Sequence, residues 1–196
     1  MIAIVDYGAG NLNSVKKAFD YLGAQVLVTD RPEPAAAADK IVLPGVGHFS
    51  SLQALDRAGL REVLLQGISA GKPFLGICLG MQWLFEGSEE CSAIEGAGIF
   101  PGKCREFPPS VKSPHVGWNS LTVREGSKLL HGIAQDSFVY YTHSFHAPVV
   151  AATAAASEYG LRFAGAVEQE NILGVQFHPE KSGDAGLAIL KNFCEI

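Results

Sequence analysis

The amino-acid sequence predicts an α/β domain with a mixed, mostly parallel central sheet, flanking helices and a small antiparallel extension. Three observations indicate this class: short apolar runs in the first half, helical periodicity between those runs, and shorter strand-like segments in the second half. The length of 196 residues is near the upper end of the roughly 100–200 residues typical of one domain. We therefore expect a single domain that spans residues 1–196.

The apolar runs of the first half are typical of buried parallel strands. They are Ile2–Val5, Gln25–Val28, Ile41–Leu43 and Pro73–Ile77. Gly, Pro or Asp follows each run, and helical periodicity follows most of them. Because a parallel strand is covered on both faces, its sequence is continuously apolar rather than alternating. The first half therefore predicts a doubly wound arrangement.

Apolar residues at helical spacing predict three helical regions. The first runs from about Leu12 to Leu22 and ends at Gly23, a residue typical of the position just past a helix. A second region covers about Leu52–Leu64, and a final helix covers about Asp184–Phe193. These segments would cover the faces of the predicted sheet.

From about Ile94 onward, short strand-like segments alternate with Pro and Gly turns. We interpret them as an antiparallel extension of the sheet. Two alanine-rich stretches, Ala35–Ala38 and Ala151–Ala156, carry no chemistry, and we interpret them as fillers or surface turns.

Composition and charge exclude several classes of function. The formal net charge of −5 offers no electrostatic attraction to nucleic acid or to anionic lipid, so neither partner is expected. The N-terminus lacks the basic region of a secretory signal, and no apolar run reaches the ~20 residues of a membrane span. The cysteines show no CxxC pair and no metal-ligand spacing. We expect a cytoplasmic protein with no metal and no cofactor.

Cys78 is the strongest candidate for a reactive group. It follows an apolar strand in the pattern Gly76-x-Cys78-x-Gly80, and helical residues come next. This is the pattern of a nucleophile elbow with cysteine in place of serine, in which flanking glycines let the chain turn sharply and expose the thiol. The alternative interpretation is a small apolar cysteine that packs at the end of a strand.

His178 and Glu180 are the candidate partners of the thiol. They lie in Gly174-Val-Gln-Phe-His-Pro-Glu180, where an apolar strand delivers the histidine to its end. In an extended segment the two side chains point to the same side, so Glu180 could orient one imidazole nitrogen while the other faces a thiol. The alternative is a surface turn without chemistry.

Leu43-Pro44-Gly45-Val46-Gly47 supplies a candidate oxyanion site directly after another predicted strand. Closely spaced glycines allow backbone amides to converge on a developing negative charge, which acyl transfer requires. Taken alone, the segment would be an ordinary turn. Next to a nucleophile and a base, the amides of the segment with Gly45 and Gly47 would stabilise the oxyanion, a role that the other candidate residues leave unfilled.

The segments GICLGMQ, LPGVG and QFHPEKS together resemble the triad, or class-I, glutamine amidotransferases, and the resemblance covers essentially the whole chain. Within that family, DYGAGNLNSV, PGVGHF and PHVGWN resemble the glutaminase subunits of imidazole glycerol phosphate synthases. The resemblance implies a flavodoxin-like class-I amidotransferase fold.

The resemblance also implies roles for individual residues. Cys78 would attack the side-chain amide of L-glutamine, His178 would pass a proton to the leaving ammonia, and Glu180 would orient the histidine. Gly47 and Leu79 would surround the oxyanion, and Gln82 and Glu90 would contact glutamine.

The implied partner is a (β/α)₈ cyclase subunit in a heterodimer. Four residues would face that subunit: Asn11, Trp118, Tyr140 and Lys181. Ammonia would pass into the barrel, which makes imidazole glycerol phosphate and aminoimidazole carboxamide ribotide in histidine biosynthesis. The isolated chain would then be nearly inactive, and glutamine hydrolysis would rise when the barrel is both bound and occupied by its nucleotide ligand.

Three alternatives stay open on sequence grounds. The glutaminase could serve another pathway, such as pyridoxal phosphate synthesis. An elbow cysteine also occurs in hydrolases and thiol sensors that act without a partner, and a third class is a catalytically silent binding module.

Overall fold

Thirteen β-strands form the framework of the structure, a computed structural model that describes residues 1–196. In chain order they are β1 (Ile2–Val5), β2 (Val26–Thr29), β3 (Lys40–Gly45), β4 (Phe74–Cys78), β5 (Phe85–Ser88), β6 (Phe100–Glu106), β7 (His115–Ser120), β8 (Thr122–Val123), β9 (Phe138–His143), β10 (Phe145–His146), β11 (Thr153–Glu158), β12 (Arg162–Gln169) and β13 (Ile172–Val175).

The central sheet has eight strands in the order β2-β1-β3-β4-β13-β12-β11-β8. The first five strands pair in parallel, and the last three extend the sheet by antiparallel pairing. The predicted fold class, a mixed sheet of mostly parallel strands with an antiparallel extension, is confirmed. The predicted strands of the first half are also confirmed: β1 has the predicted ends, and the ends of the other three are shifted by one or two residues.

The second half differs from the single antiparallel extension that we expected. Only β8, β11 and β12 extend the sheet, because β13 pairs in parallel with β4 and lies inside it. The remaining strands form two small separate sheets, β10-β6-β5 and the two-stranded ribbon β7–β9. Burial explains why β13 lies inside the central sheet and β9 does not. All residues of β13 are buried, as in a strand covered on both faces. Buried and more exposed residues alternate along β9, which therefore has one open face.

Six α-helices cover the two faces of the central sheet. They are α1 (Leu12–Tyr21), α2 (Pro32–Ala37), α3 (Gln53–Arg57), α4 (Leu60–Ser69), α5 (Leu79–Trp83) and α6 (Gly183–Glu195). Core residues of α1 and α6 share one apolar cluster, and those of the other helices share a second. None of the helices has the length and apolar character needed to cross a membrane.

The interpretation of the alanine-rich stretches as fillers or surface turns was wrong. The first lies largely in α2, where Ala35 is fully buried, and the second leads into β11, where Ala154–Ala156 are buried. Alanine has a low intrinsic strand preference, but burial in a closely packed sheet overrides it. Ala35, Ala38 and Ala154–Ala156 are therefore core residues whose small side chains allow close packing, whereas Ala36 and Ala37 are exposed on α2 and Ala151 lies in an exposed turn, as expected.

Candidate active site

A sharp turn at Cys78 connects β4 to α5. The backbone of Cys78 has φ 55° and ψ −107°, a conformation that residues other than glycine rarely adopt. A side chain at Gly76 would overlap the carbonyl group of Gly80, and one at Gly80 would overlap the carbonyl group of Leu43. The predicted arrangement of strand, elbow and helix is confirmed, and both glycines are required by close backbone contacts.

His178 and Glu180 form a buried ion pair beside this elbow. The His178 Nδ1 atom lies 2.9 Å from Glu180 Oε1, and the two side chains are 2% and 1% exposed. Because a carboxylate only accepts hydrogen bonds, Nδ1 is the donor. Our reason for expecting this contact was wrong, since Glu180 lies in a 3₁₀ turn over Pro179–Lys181 rather than in an extended segment. That turn, and not strand alternation, brings the carboxylate back to the ring.

The second ring nitrogen of His178 faces the thiol. The Nε2 atom is buried and makes no hydrogen bond to any other group. Burial alone would lower the pKa of His178, but interactions with Cys78 and Glu180 raise it to about 10. The imidazolium form is thus stabilised between two acidic groups. His178 is therefore the cationic group that lies beside the sulfur.

A cavity of about 240 Å³ opens at the thiol. Five residues that the sequence singled out line it: Gly47, Cys78, Leu79, Gln82 and Glu90. Five others complete the wall and were not predicted: Pro114, Thr142, His143, Ser144 and Phe145. A larger cavity of about 680 Å³ lies elsewhere, beside the end of α6, and no cysteine lines it. The small cavity is therefore the candidate substrate site.

Gln176 is a functional candidate that sequence reasoning missed. Its side chain is fully buried, and its Nε2 atom lies 3.7 Å from the sulfur of Cys78. Its Oε1 atom accepts a hydrogen bond of 3.1 Å from Gln82. The sequence does contain a signal for Gln176, a glutamine inside an otherwise apolar run that leads to His178. Because a buried amide requires hydrogen-bond partners, such a glutamine indicates a polar contact in the core.

Gly45 and Gly47 occupy different environments. Gly45 is the last residue of β3, pairs with Cys78 across the sheet, and does not line the cavity. A side chain at this position would overlap the hydroxyl group of Tyr7. Gly47 lines the cavity with φ 101° and open space around its Cα, so conformational freedom of the loop lies at Gly47.

The sequence matches the family described as "Glutamine amidotransferase class-I" over residues 3–196. The chain belongs to the class-I glutamine amidotransferase family. In this amidotransferase the family match covers both the elbow at Cys78 and the turn with His178 and Glu180.

Several curated relatives of the amidotransferase chain match over nearly their whole length. A protein of Methanothermobacter thermautotrophicus named "Imidazole glycerol phosphate synthase subunit HisH" is 50% identical, covering 100% of this chain and 98% of the relative. Proteins of the same name from Bacillus cereus and Chlorobium luteolum are each 46% identical, covering 98% and 100% of this chain and 93% and 100% of the relatives.

Solved structures agree with the amidotransferase fold. "Crystal structure of glutamine amidotransferase" superimposes with a TM-score of 0.77 at 17% identity, covering 99% of this chain and 100% of the other. "Structure of PurLQS from Thermotoga maritima" gives a TM-score of 0.74 at 17% identity, covering 99% and 97%. At these identities the likeness establishes the fold.

The ribbon β7–β9 of the amidotransferase exposes an unusually apolar surface, which we call the aromatic face. It consists of Val116, Trp118, Phe138 and Tyr140, of which the first three are 56%, 55% and 60% exposed. The rings of Trp118 and Tyr140 meet edge to face with centroids 6.1 Å apart. Val116, Trp118 and Phe138 are thus large apolar side chains exposed to solvent on one side of the ribbon.

Three of the four residues assigned to the partner interface meet at this face. The Lys181 ammonium group lies 5.8 Å from the centroid of the Tyr140 ring, a cation–π contact, and the Trp118 ring meets the same tyrosine edge to face. Asn11 lies at the start of α1 and makes none of these contacts. The backbone amide of His178 donates to the carbonyl oxygen of Tyr140 at 2.9 Å, so the face is connected directly to the active-site turn.

Proposed function

We propose that this chain is the glutaminase subunit of an imidazole glycerol phosphate synthase. The observation that carries the proposal is the buried set of Cys78, His178 and Glu180 at the mouth of a small polar cavity. The names of relatives at 45–50% identity support the assignment to histidine biosynthesis. The chain hydrolyses L-glutamine to L-glutamate and ammonia, and its amidotransferase domain spans residues 1–196.

The reaction proceeds through a thioester on Cys78. The thiolate attacks the side-chain amide carbon of glutamine, and the carbonyl oxygen becomes an oxyanion. His178 then gives its Nε2 proton to the departing nitrogen, the carbon–nitrogen bond breaks, and ammonia leaves. Water next gives a proton to the neutral imidazole and attacks the thioester. Glutamate leaves, and Cys78 and His178 return to their starting charges.

Glu180 supports this cycle without touching the substrate. Its hydrogen bond to Nδ1 keeps Nε2 directed at the sulfur and at the leaving nitrogen. The carboxylate also compensates the charge of the imidazolium, and the pairing is strong because both side chains are almost fully buried.

Recognition of glutamine falls to the residues around the cavity. The amides near Leu79 and in the Gly45–Gly47 loop stabilise the oxyanion, and the open space at Gly47 allows the loop to adjust. Gln82 and Glu90 contact the substrate. One carboxylate oxygen of Glu90 accepts the backbone amide of Phe49 at 2.6 Å, which leaves the other for the ammonium group of an amino acid.

The partner is a (β/α)₈ cyclase subunit that docks on the aromatic face. Trp118 and Tyr140 are aromatic side chains of the kind enriched at interfaces, Lys181 adds a cation beside them, and Asn11 extends the contact to α1. The ammonia passes into the barrel, which makes imidazole glycerol phosphate and aminoimidazole carboxamide ribotide. The heterodimer requires no metal and no cofactor in this chain, and we place it in the cytoplasm.

The test is steady-state release of glutamate by the purified chain in three mixtures. These are the chain alone, the chain with the cyclase subunit, and the chain with the cyclase subunit and its nucleotide ligand. We expect the isolated chain to be nearly inactive and the full mixture to be faster by ~10²–10³, the contribution of one oxyanion donor that becomes aligned.

Three results would overturn this proposal. Full activity of the isolated chain would favour a hydrolase that acts without a partner. Absence of glutamate release in every mixture would favour a catalytically silent binding module. Activation by the synthase of another pathway, but not by the cyclase, would move the chain to that pathway.

A further inference from the structure

A buried series of hydrogen bonds joins ribbon β7–β9 to the wall of the substrate cavity. Asn119 Nδ2 lies 3.4 Å from His115 Nε2, and His115 Nδ1 lies 3.0 Å from His143 Nε2. His143 Nδ1 in turn lies 2.9 Å from the carbonyl oxygen of Phe145. We call the series from Asn119 through His115 and His143 to Phe145 the histidine link.

The link continues from the cavity wall to the thiol. Gln82 Nε2 donates to the same carbonyl oxygen of Phe145 at 2.9 Å and also to Oε1 of Gln176 at 3.1 Å. Gln176 Nε2 reaches the sulfur of Cys78. One uninterrupted set of polar contacts therefore extends from a half-exposed residue of β7 to the proposed nucleophile.

The protons of the link can be arranged in only one way. The carbonyl oxygen of Phe145 only accepts, so His143 donates from Nδ1 and accepts at Nε2. His115 must then donate from Nδ1 and accept from Asn119 at Nε2. Burial lowers the pKa of His143 to about 3 and that of His115 to about 4, so both rings are neutral near pH 7 and fit this arrangement.

The outer end of the link lies behind the aromatic face. His115 and His143 pair directly across the ribbon and point to its buried side, whereas Val116 and Trp118 point to its exposed side. A partner that presses on the exposed side must move the same two strands that hold both imidazoles. Displacement of the ribbon therefore changes the hydrogen bonds at the cavity wall.

A purely structural role is the alternative explanation. The ring of His115 stacks on Tyr159 and Tyr141 with centroids 4.0 and 4.9 Å away, so the pair also contributes to an aromatic core. The pair is not part of a metal site, because no third His, Cys, Asp or Glu is placed to complete one. A structural role would affect the stability of the protein but not its response to a partner.

We infer that His115 and His143 are positioning residues that couple occupation of the aromatic face to the shape of the glutamine cavity. This inference rests on the proposed function and names the physical connection between its two sites. Satisfied buried networks are rigid, so a displacement at one end is transmitted rather than absorbed.

The variant His115→Phe tests the link. Phenylalanine keeps an aromatic ring against Tyr159 and removes both ring nitrogens. We expect the variant to bind the cyclase as tightly as the wild type, while the ratio of glutamate release with the liganded cyclase to release without it falls at least tenfold. Binding is measured by titration and the ratio by steady-state kinetics.

His146→Phe is the matched control. His146 is a buried imidazole that packs against Phe107 and Phe163 as well, but its Nδ1 atom contacts only the carbonyl oxygen of Ala147, at 3.5 Å. His146 lies outside the link. The ratio of glutamate release with the liganded cyclase to release without it should therefore be the same in His146→Phe as in the wild type. If His115→Phe does not fold, Asn119→Ala decides instead, because it removes the outer end of the link at a half-exposed position.

Three outcomes would overturn the inference. The first is an unchanged ratio in the folded link variant with both rates as in the wild type, the second is an unchanged ratio because both rates fall in proportion, and the third is a fall of the ratio in His146→Phe equal to that in the link variant. Each of these requires a wild-type complex that releases glutamate. A wild type that releases none in any mixture would instead refute the proposed function.

Discussion

Replacing Cys78 with alanine is expected to stop release of glutamate from glutamine, with a loss of ~10⁴–10⁶ in rate. The physical reason is that no other nucleophile lines the cavity with a base directed at it. Synthesis by the complex from added ammonium salts should continue, because the cyclase needs ammonia and not the thioester. The measurements are glutamate release and formation of imidazole glycerol phosphate from each nitrogen source.

Cys194→Ala is the control for this substitution. Cys194 is a free, partly buried cysteine of α6, remote from the elbow. Cys194→Ala should leave the complex able to use both glutamine and added ammonium salts. Glutamine turnover within tenfold of wild type in Cys78→Ala would remove Cys78 from the nucleophile role.

Replacing Glu180 with glutamine is expected to lower turnover by about 10⁴, less than the loss of the nucleophile. The amide keeps the size of the carboxylate but cannot compensate the positive charge of the imidazolium. Its nitrogen can also donate a hydrogen bond to Nδ1, which would hold His178 in the wrong tautomer. The fold should persist, because the turn over Pro179–Lys181 has its own backbone hydrogen bonds. Turnover is followed in the activated complex, and stability is followed by urea unfolding.

Glu168→Gln is the matched control. Glu168 accepts hydrogen bonds from Ser127 and from the amides of Lys128 and Leu129, so its substitution should lower stability without changing turnover. If Glu180→Gln were as active as Glu168→Gln, the carboxylate of Glu180 would belong to the turn and not to catalysis.

The fold and the elbow could be predicted because short segments of the sequence indicate them. Continuous apolar runs identified β1 and β4, and the two glycines beside Cys78 indicated a turn in which a side chain would overlap the backbone. The pairing of His178 with Glu180 was also predicted, although the 3₁₀ turn that produces it was not.

The rest of the cavity depends on contacts between distant parts of the chain. His143 ends β9 of the ribbon and Phe145 lies in β10, which pairs with β6, and no periodicity within the segment indicates that both line the cavity. The same holds for His115, whose partner is 28 residues away along the chain. Burial of the alanines in α2 and β11 was likewise decided by neighbouring elements, which local composition does not encode.

The most direct test of the account is identification of the covalent intermediate. The activated complex is mixed with glutamine, quenched in acid during turnover, and digested, and the peptide that contains Cys78 is weighed by mass spectrometry. The account predicts a peptide heavier by one γ-glutamyl group, present in the wild type and absent from Cys78→Ala. Turnover of glutamine in the wild type without any acylated Cys78, or with the acyl group on another residue, would contradict it.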